Sequence, residues 1–313
     1  MSKGLYAGKD ILSLAQFDRK SIDKILHSTK KIIALSNKNK CSNLLKGSII
    51  ALLFFEPSTR TYNSFSSAAQ RLGAGVIGLR DISVTSMVKG ETFEDTIRIY
   101  NGYSDLIVIR HPESGSAARA AVVANVPVLN AGDGGNEHPT QTLLDLYTIK
   151  SKFGRLSNLK VVIGGDPLHS RAMRSLALGL SLYSNNTVYF LSPKKLSLSR
   201  DLFAQLKKKG LKVEEIFNEK DMPLDAHIWY WNRIQKERFV SRKEAKKIKE
   251  SFVVTPTFLK KYGNKKLIIM NPLPRIDEIS IEVDSDPRSV YFEQAKNGMY
   301  VRMALLALVL KKI

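Results

Sequence analysis

The stretch from Ser48 to Thr61, Ser-Ile-Ile-Ala-Leu-Leu-Phe-Phe-Glu-Pro-Ser-Thr-Arg-Thr, constrains the fold more than any other part of the chain. Its first eight residues form an apolar stretch rich in β-formers, which predicts a buried parallel strand. Pro57 stops the strand, because proline has no backbone N–H to give the ladder. Ser58 then stands at a helix N-cap position. Tyr62, Phe65, Ala69 and Leu72 recur at helical spacing, and Gly73 closes the run. Strand, sharp turn and helix start therefore follow one another. Such a helix start offers free backbone N–H groups and the positive pole of the helix dipole. Ser58, Thr59 and Thr61 add hydroxyls, and Arg60 adds a fixed positive charge. The set suits a small phosphate-like anion; an ordinary Ser/Thr cap beside a surface arginine is the plainer alternative. It is neither a Walker loop nor a dinucleotide fingerprint, since the glycine patterns of both are missing.

The same alternation recurs along the chain. Strands are expected at 76–79, 105–109 and 126–129, with helices at 15–36, 91–103 and 117–125 between or before them. A long helix opens at His138-Pro139. The second half repeats the theme with strands at 159–164, 187–191, 212–216, 227–231 and 266–270. A final helix over 290–310 places Tyr291, Ala295, Met299, Met303 and Leu306 on one face. Repeated βα units predict an α/β fold with parallel sheets covered by helices on both faces. In such sheets ligands sit beyond the carboxyl ends of the strands. Those ends carry Ser58–Thr61, then Ser86 and Lys89, then Arg110, then His138 and Gln141, which lie three apart on one helical face. A lone histidine or loop lysine is most often structural, but the set shares one sheet edge.

Composition narrows the rest. With 313 residues and 43% hydrophobic residues, two domains and a large core are expected. The N-terminus has no apolar signal segment, and the longest apolar run, Met303 to Leu310, is too short to span a bilayer. Cys41 is the single cysteine, so neither an internal disulfide nor a multi-cysteine metal site is expected. A cytoplasmic protein is the expectation. The net charge of +20 comes mainly from scattered lysines and short runs such as Lys207-Lys208-Lys209. It lacks aromatic interleaving, so a solvated lysine-rich surface is expected rather than a nucleic-acid site. A positive field also draws in anionic substrates.

Phe54-Phe-Glu-Pro-Ser-Thr-Arg-Thr61, Lys89-Gly-Glu-Thr92, Arg110-His-Pro112 and His138-Pro-Thr-Gln-Thr-Leu-Leu-Asp145 together resemble the transcarbamoylases. Arg233-Ile-Gln-Lys-Glu-Arg238, Pro272-Leu-Pro-Arg275 and the C-terminal Val290-Tyr-Phe-Glu-Gln-Ala-Lys-Asn-Gly-Met-Tyr300 resemble the aspartate branch of that family. The resemblance covers essentially the whole chain in order. It implies two doubly wound parallel-sheet domains. Residues 1–138 would bind carbamoyl phosphate, with 294–313 returning to that domain, and 139–293 would bind aspartate. The implied reaction moves a carbamoyl group from carbamoyl phosphate to the amine of L-aspartate, early in pyrimidine synthesis.

By the same resemblance Ser58, Thr59, Arg60 and Thr61 hold the phosphate. Arg110, His138 and Thr61 meet the carbamoyl oxygen, and Gln141 meets the amide. Arg171, Arg233 and Gln235 bind aspartate, joined by Pro272 and Leu273. Ser86 and Lys89 come from a neighbouring subunit, which implies a cyclic homotrimer with shared sites. Separate regulatory chains are left open, and no cofactor or metal is implied. The chain departs from the usual family pattern at Tyr62, at Ser64-Phe65-Ser66 and at Asn271, where histidine is usual. The rival readings are an ornithine-type transcarbamoylase and a non-catalytic anion- or nucleic-acid-binding protein. A cationic second substrate would be poorly matched to this many arginines.

Overall fold

The computed structural model describes residues 6–38, 40–80, 86–234 and 252–313. The chain divides into two compact units, Met1–Tyr147 with Lys296–Ile313, and Thr148–Ala295.

The first unit holds a four-stranded parallel sheet. Its strands are β1 (Ile49–Phe54), β2 (Gly75–Leu79), β3 (Leu106–His111) and β4 (Val128–Asp133), in the order β2-β1-β3-β4. Helices α1 (Arg19–Asn37), α2 (Thr59–Arg71), α3 (Phe93–Tyr103) and α4 (Ser116–Val123) accompany it, and α5 (Pro139–Phe153) carries the chain onward. The continuous apolar run of β1 is buried on both faces, with Ile50 to Leu53 fully enclosed. Each of its buried isoleucine and leucine side chains contributes about 1.5–3 kcal/mol relative to exposure. Gly73 follows α2 at φ +83°, and a Cβ there would lie 2.0 Å from the Ser42 carbonyl oxygen, so only glycine closes this helix.

The second unit holds a five-stranded parallel sheet of β5 (Lys160–Gly164), β6 (Thr187–Leu191), β7 (Lys212–Ile216), β8 (Ile228–Trp231) and β9 (Ile268–Met270), in the order β7-β6-β5-β8-β9. Helices α6 (Arg171–Leu180), α7 (Arg200–Lys208) and α8 (Pro256–Tyr262) belong to it. The last helix, α9 (Tyr291–Val309), begins in this unit, and from Lys296 onward it belongs to the first. Gly8 N–H donates to the Val309 carbonyl at 2.9 Å, which ties the N-terminal segment to the end of α9. The expected α/β class with two parallel sheets and a returning C-terminal helix is observed.

Several boundaries differ from the sequence reading. The helix expected from residue 15 starts at Arg19, because Asp18 accepts from Ser21 N–H at 2.7 Å and caps it there. Residues 14–16 instead form a separate short 3-10 turn. β3 continues through Arg110 and His111, since Phe55 N–H donates to the Arg110 carbonyl at 2.8 Å and keeps the ladder going. β4 is Val128–Asp133 rather than 126–129; its polar end is buried and hydrogen-bonded, so hydropathy does not reveal it as strand. Ala295, placed on the apolar face of the last helix, is exposed; Tyr291, Gln294, Asn297 and Gly298 form the buried stripe of its first turns. The loop 81–90 contains a 3-10 turn at Ser86–Lys89, and its residues 81–85 lie outside the described residues.

Candidate active site

Each sheet has one place where the strand order reverses, between β1 and β3 in the first and between β5 and β8 in the second. Crevices at the carboxyl ends of such strands are the binding positions of open α/β sheets. All four strands end in the polar residues singled out from the sequence.

At the first reversal, β1 turns through Glu56-Pro57 into α2. Ser58 takes the N-cap position, yet its side chain makes no capping hydrogen bond. The expected Ser/Thr cap is therefore present in position but not in bonding, which leaves the hydroxyl beside the first-turn N–H groups of α2. Phe54 pairs in register with Arg110, so the arginine leaves β3 next to the turn. Arg110 Nη2 lies 2.5 Å from Glu56 Oε1, and its Nη1 donates to the Ala131 carbonyl at 3.4 Å. These two partners fix the guanidinium plane, one from β1's turn and one from β4. Arg60 is exposed in the first turn of α2, yet partial desolvation and then the charge of Arg110 hold its guanidinium below its usual pKa. Two cations thus converge on a helix N-terminus, and a doubly charged anion there relieves their repulsion. Thr61 is buried in the same first turn.

His138 stands at the start of α5, buried to 7% exposure. The turn before it is held by Asp133. One Asp133 carboxylate oxygen accepts from Asn130 Nδ2 at 3.0 Å and Glu137 N–H at 3.2 Å; the other accepts from Gly115 N–H at 2.9 Å and Asn136 Nδ2 at 3.0 Å. Glu137 in turn accepts from Ser13 Oγ at 2.7 Å and Leu14 N–H at 2.6 Å. Gly134 has φ +51°, and a Cβ there would meet the Pro112 carbonyl oxygen at 2.6 Å, so the turn cannot hold a larger residue. Gln141, one turn into α5, donates from Nε2 to Asp145 Oδ1 at 2.9 Å. An ionised carboxylate only accepts, so this bond orients the amide with Oε1 turned away as an acceptor. An acceptor so placed can receive an N–H from a bound amide.

At the second reversal, β5 ends in Gly164-Gly165-Asp166 and leads to α6, whose first residue is Arg171. β8 ends in Trp231-Asn232-Arg233. Gly165 has φ +133°, and a Cβ there would sit 2.2 Å from the Asn232 carbonyl oxygen, so the two strand ends approach closely only with glycine. Asn232 N–H donates to the Gly164 carbonyl at 2.9 Å, and Asn232 Nδ2 donates to Ser170 Oγ at 2.6 Å. Ser170 is the N-cap of α6, accepting from Met173 N–H at 3.4 Å. Asn232 Oδ1 also accepts from Arg233 N–H at 2.9 Å. One asparagine therefore brings the backbone positions of Arg171 and Arg233 to the same edge.

The 271–275 segment follows β9. Asn271, standing where the family usually has histidine, both accepts and donates: its Oδ1 takes Leu273 N–H at 2.6 Å, and its Nδ2 reaches Glu278 Oε1 at 2.9 Å. Leu273 has φ +54° and Leu273-Pro274 is cis. Arg275 pairs with Asp284 and donates to Tyr291 Oη at 3.0 Å. Pro272 and Leu273 are half-buried on this turn. Ser86 and Lys89 are exposed, and among the described residues neither side chain forms a hydrogen bond or ion pair. Gln235 lies outside the described residues.

Sequence reading missed Asp133, Asp145, Ser170 and Asn232, which hold the predicted residues in place. Asp145 had a signal, four residues after Gln141 on the same helical face. The Ser170–Asn232 bond spans 62 residues and had none.

A family model described as aspartate/ornithine carbamoyltransferase, carbamoyl-P binding domain, matches residues 9–151, and the corresponding Asp/Orn binding domain model matches residues 157–309. The chain is 44% identical over 298 residues to the aspartate carbamoyltransferase catalytic subunit of Methanocaldococcus jannaschii, covering 95% of this chain and 96% of the relative. It is 45% identical over 305 residues to the catalytic subunit from Thermococcus onnurineus, covering 97% and 98%. Among solved structures, the catalytic subunit of M. jannaschii aspartate transcarbamoylase matches with a TM-score of 0.93 at 43% identity, over 97% of this chain and 98% of that one. Aspartate transcarbamoylase from Trypanosoma cruzi in complex with N-(phosphonacetyl)-L-aspartic acid matches with a TM-score of 0.91 at 36% identity, over 97% of each chain.

Proposed function

The chain belongs to the aspartate/ornithine carbamoyltransferase family, and we propose that it works on the aspartate side of that family. It is an enzyme that transfers the carbamoyl group of carbamoyl phosphate to the amine of L-aspartate, giving N-carbamoyl-L-aspartate and phosphate in de novo pyrimidine biosynthesis. The observation that carries the reading is that Arg110, in register with Phe54 and paired with Glu56, stands beside the uncapped N-terminus of α2, which carries Arg60, at the reversal of the first sheet.

In this reading the phosphate rests on Ser58, Thr59, Arg60 and Thr61, using their hydroxyls and the first-turn N–H groups. Arg110, His138 and Thr61 face the carbonyl oxygen. Gln141 Oε1 accepts from the carbamoyl NH2. Arg171, Arg233 and Gln235 receive the two carboxylates of aspartate, with Pro272 and Leu273 beside them, because planar arginine forks match carboxylates bidentately. The amine attacks the carbonyl carbon, and the charge that develops on its oxygen is met by the Arg110 guanidinium and a His138 N–H. Contacts of this kind contribute about 3 kcal/mol each in the transition state. The leaving phosphate is a good acceptor for the amine proton, so no nucleophilic side chain is called for. Bringing two anionic substrates together accounts for much of the remaining rate.

Purified protein should carbamoylate aspartate from carbamoyl phosphate and leave ornithine untouched. Turnover of ornithine, or of neither amine, would overturn the assignment.

Ser86 and Lys89 belong to this reading as residues lent to a neighbouring copy in a cyclic homotrimer. Their exposed 3-10 turn, between β2 and α3, supports the idea. In a closed ring each interface repeats one heterologous contact. Inactive Arg60→Ala and Lys89→Ala chains, dissociated and reassembled together, should recover about a quarter of wild-type activity, since random mixing completes one site in four. No recovery in hybrids seen by native mass spectrometry would mean that each chain builds its own site.

A further inference from the structure

One buried cation lies outside every role assigned above. Arg302, in the apolar second half of α9, is 4% exposed. Its Nη1 donates to Ser64 Oγ at 2.8 Å and its Nη2 to Thr140 Oγ1 at 3.4 Å. The guanidinium carbon stands 5.0 Å from the centre of the Phe65 ring. Burial pushes its pKa down to about 10, against the pull of the Asp145 carboxylate, with Arg110 adding to the depression. It is therefore charged at neutral pH, within electrostatic reach of both Asp145 and Arg110.

Enclosing a guanidinium is costly compared with an apolar side chain of similar size. The helix also makes room for it. Gly298, one turn earlier, is an unfavourable residue for a helix interior. A Cβ at that position would meet Arg302 Nη1 at 2.7 Å and Leu144 Cδ2 at 2.9 Å. Both features suit a group with a task that a methionine could not perform.

The task follows from counting hydrogens. Arginine has donors only, so Thr140 Oγ1 accepts from Arg302. The one hydroxyl hydrogen of Thr140 is then directed elsewhere, and His138 Nδ1 lies 3.3 Å away. If Thr140 donates to Nδ1, the neutral imidazole carries its proton on Nε2. That is the tautomer able to offer a ring N–H to a developing oxyanion. The opposite tautomer would turn an Nε2 lone pair toward negative charge. Asp145, whose charge is felt at the guanidinium, accepts from the amide of Gln141 at 2.9 Å.

We propose that Arg302 is a positioning residue for carbamoyl transfer, acting through Thr140 to hold His138 in its Nε2–H tautomer. The proposal rests on the reading of His138 as an oxyanion donor. Arg302 touches neither substrate in this scheme and works by fixing the groups that do.

The test uses Thr140→Val, which keeps the shape of the side chain and deletes the hydroxyl, together with Thr140→Ser and Arg302→Met. In wild-type protein labelled with 15N-histidine, the His138 ring should show a pyrrole-type Nε2 and a pyridine-type Nδ1, assigned by comparison with His138→Ala. Thr140→Val should shift those resonances toward a tautomer mixture. Its kcat should fall about tenfold, the scale of one hydrogen bond, with the aspartate KM moving less than about twofold. Thr140→Ser should restore both the spectrum and most of the rate. Arg302→Met, or Arg302→Leu should the methionine variant not fold, should reproduce the Thr140→Val spectrum; a wild-type His138 spectrum in a folded Arg302 variant overturns the proposal. A wild-type spectrum and wild-type kcat in Thr140→Val, with His138→Ala strongly impaired, overturns the proposal and leaves the site reading standing. An unimpaired His138→Ala overturns the site reading itself.

Discussion

The two sheet edges solve the same topological problem with different means. Both reverse strand order once, β2-β1-β3-β4 in the first unit and β7-β6-β5-β8-β9 in the second. At the first edge the cation is clamped: Arg110 is bonded to Glu56 and to the Ala131 carbonyl, and His138 follows a turn held by the four bonds to Asp133. At the second edge the backbone is clamped. The Gly165 turn and the Asn232 bonds fix where Arg171 and Arg233 leave the chain, and both side chains remain half-exposed. A fixed guanidinium suits charge that appears only in the transition state, because the donor need not reorganise when the charge forms. A fixed backbone that presents two half-exposed arginines side by side suits capture of a small dicarboxylate.

That contrast predicts different kinetic signatures for the two edges. Arg110→Ala should lower kcat by about 10²–10³, the usual cost of deleting an oxyanion donor, in protein whose circular dichroism is unchanged. Arg233→Ala should act chiefly on the aspartate KM, by about 30-fold or more, since losing one side of a charge pair costs roughly 2–5 kcal/mol. Carbamoyl phosphate binding, measured by calorimetry without aspartate, should change in the first variant and stay near wild type in the second. Equal damage to both substrates by Arg233→Ala would erase the distinction between the edges.

The first edge was the more legible of the two in the sequence. An apolar run ended by Pro57 and followed by Ser58 can be little other than a strand entering a helix, and the polar residues after it are forced to the sheet edge. What the sequence concealed was polar strand. Asn130 and Asp133 look like loop residues, yet Asn130 Nδ2 donates to the Leu12 carbonyl at 2.9 Å and to Asp133, so β4 ends in a buried polar plug. Arg110 was placed correctly beside the turn but read as lying beyond the strand, because local hydropathy cannot register a ladder bond supplied by Phe55. Asn271 is the opposite case: a departure from the family pattern whose amide both accepts and donates, so the turn after β9 closes without the usual histidine. Arg302 left a trace that was not followed, a lone charge inside Val301-Arg302-Met303-Ala304-Leu305 with Gly298 one turn before it.

The smallest expected effect probes the backbone clamp of the second edge directly. Ser170 Oγ has two jobs, accepting the cap bond from Met173 N–H and the 2.6 Å bond from Asn232 Nδ2. Ser170→Ala removes both. Loss of the cap should cost about 1 kcal/mol of stability. Loss of the bond between the two strand ends lets Arg171 and Arg233 drift apart, and one hydrogen bond of ~1 kcal/mol corresponds to about a fivefold rise in the aspartate KM. Asn232→Ala breaks the same bond and leaves the cap. Asn232→Ala also deletes the acceptor of Arg233 N–H, so its KM effect should be at least that of Ser170→Ala, and if the bond is what aligns the arginines the double variant should be no worse than Asn232→Ala, because the bond the two share is broken once. Multiplied effects in the double variant would mean that Ser170 and Asn232 act separately, and the second edge would then owe its alignment to the Gly165 turn alone.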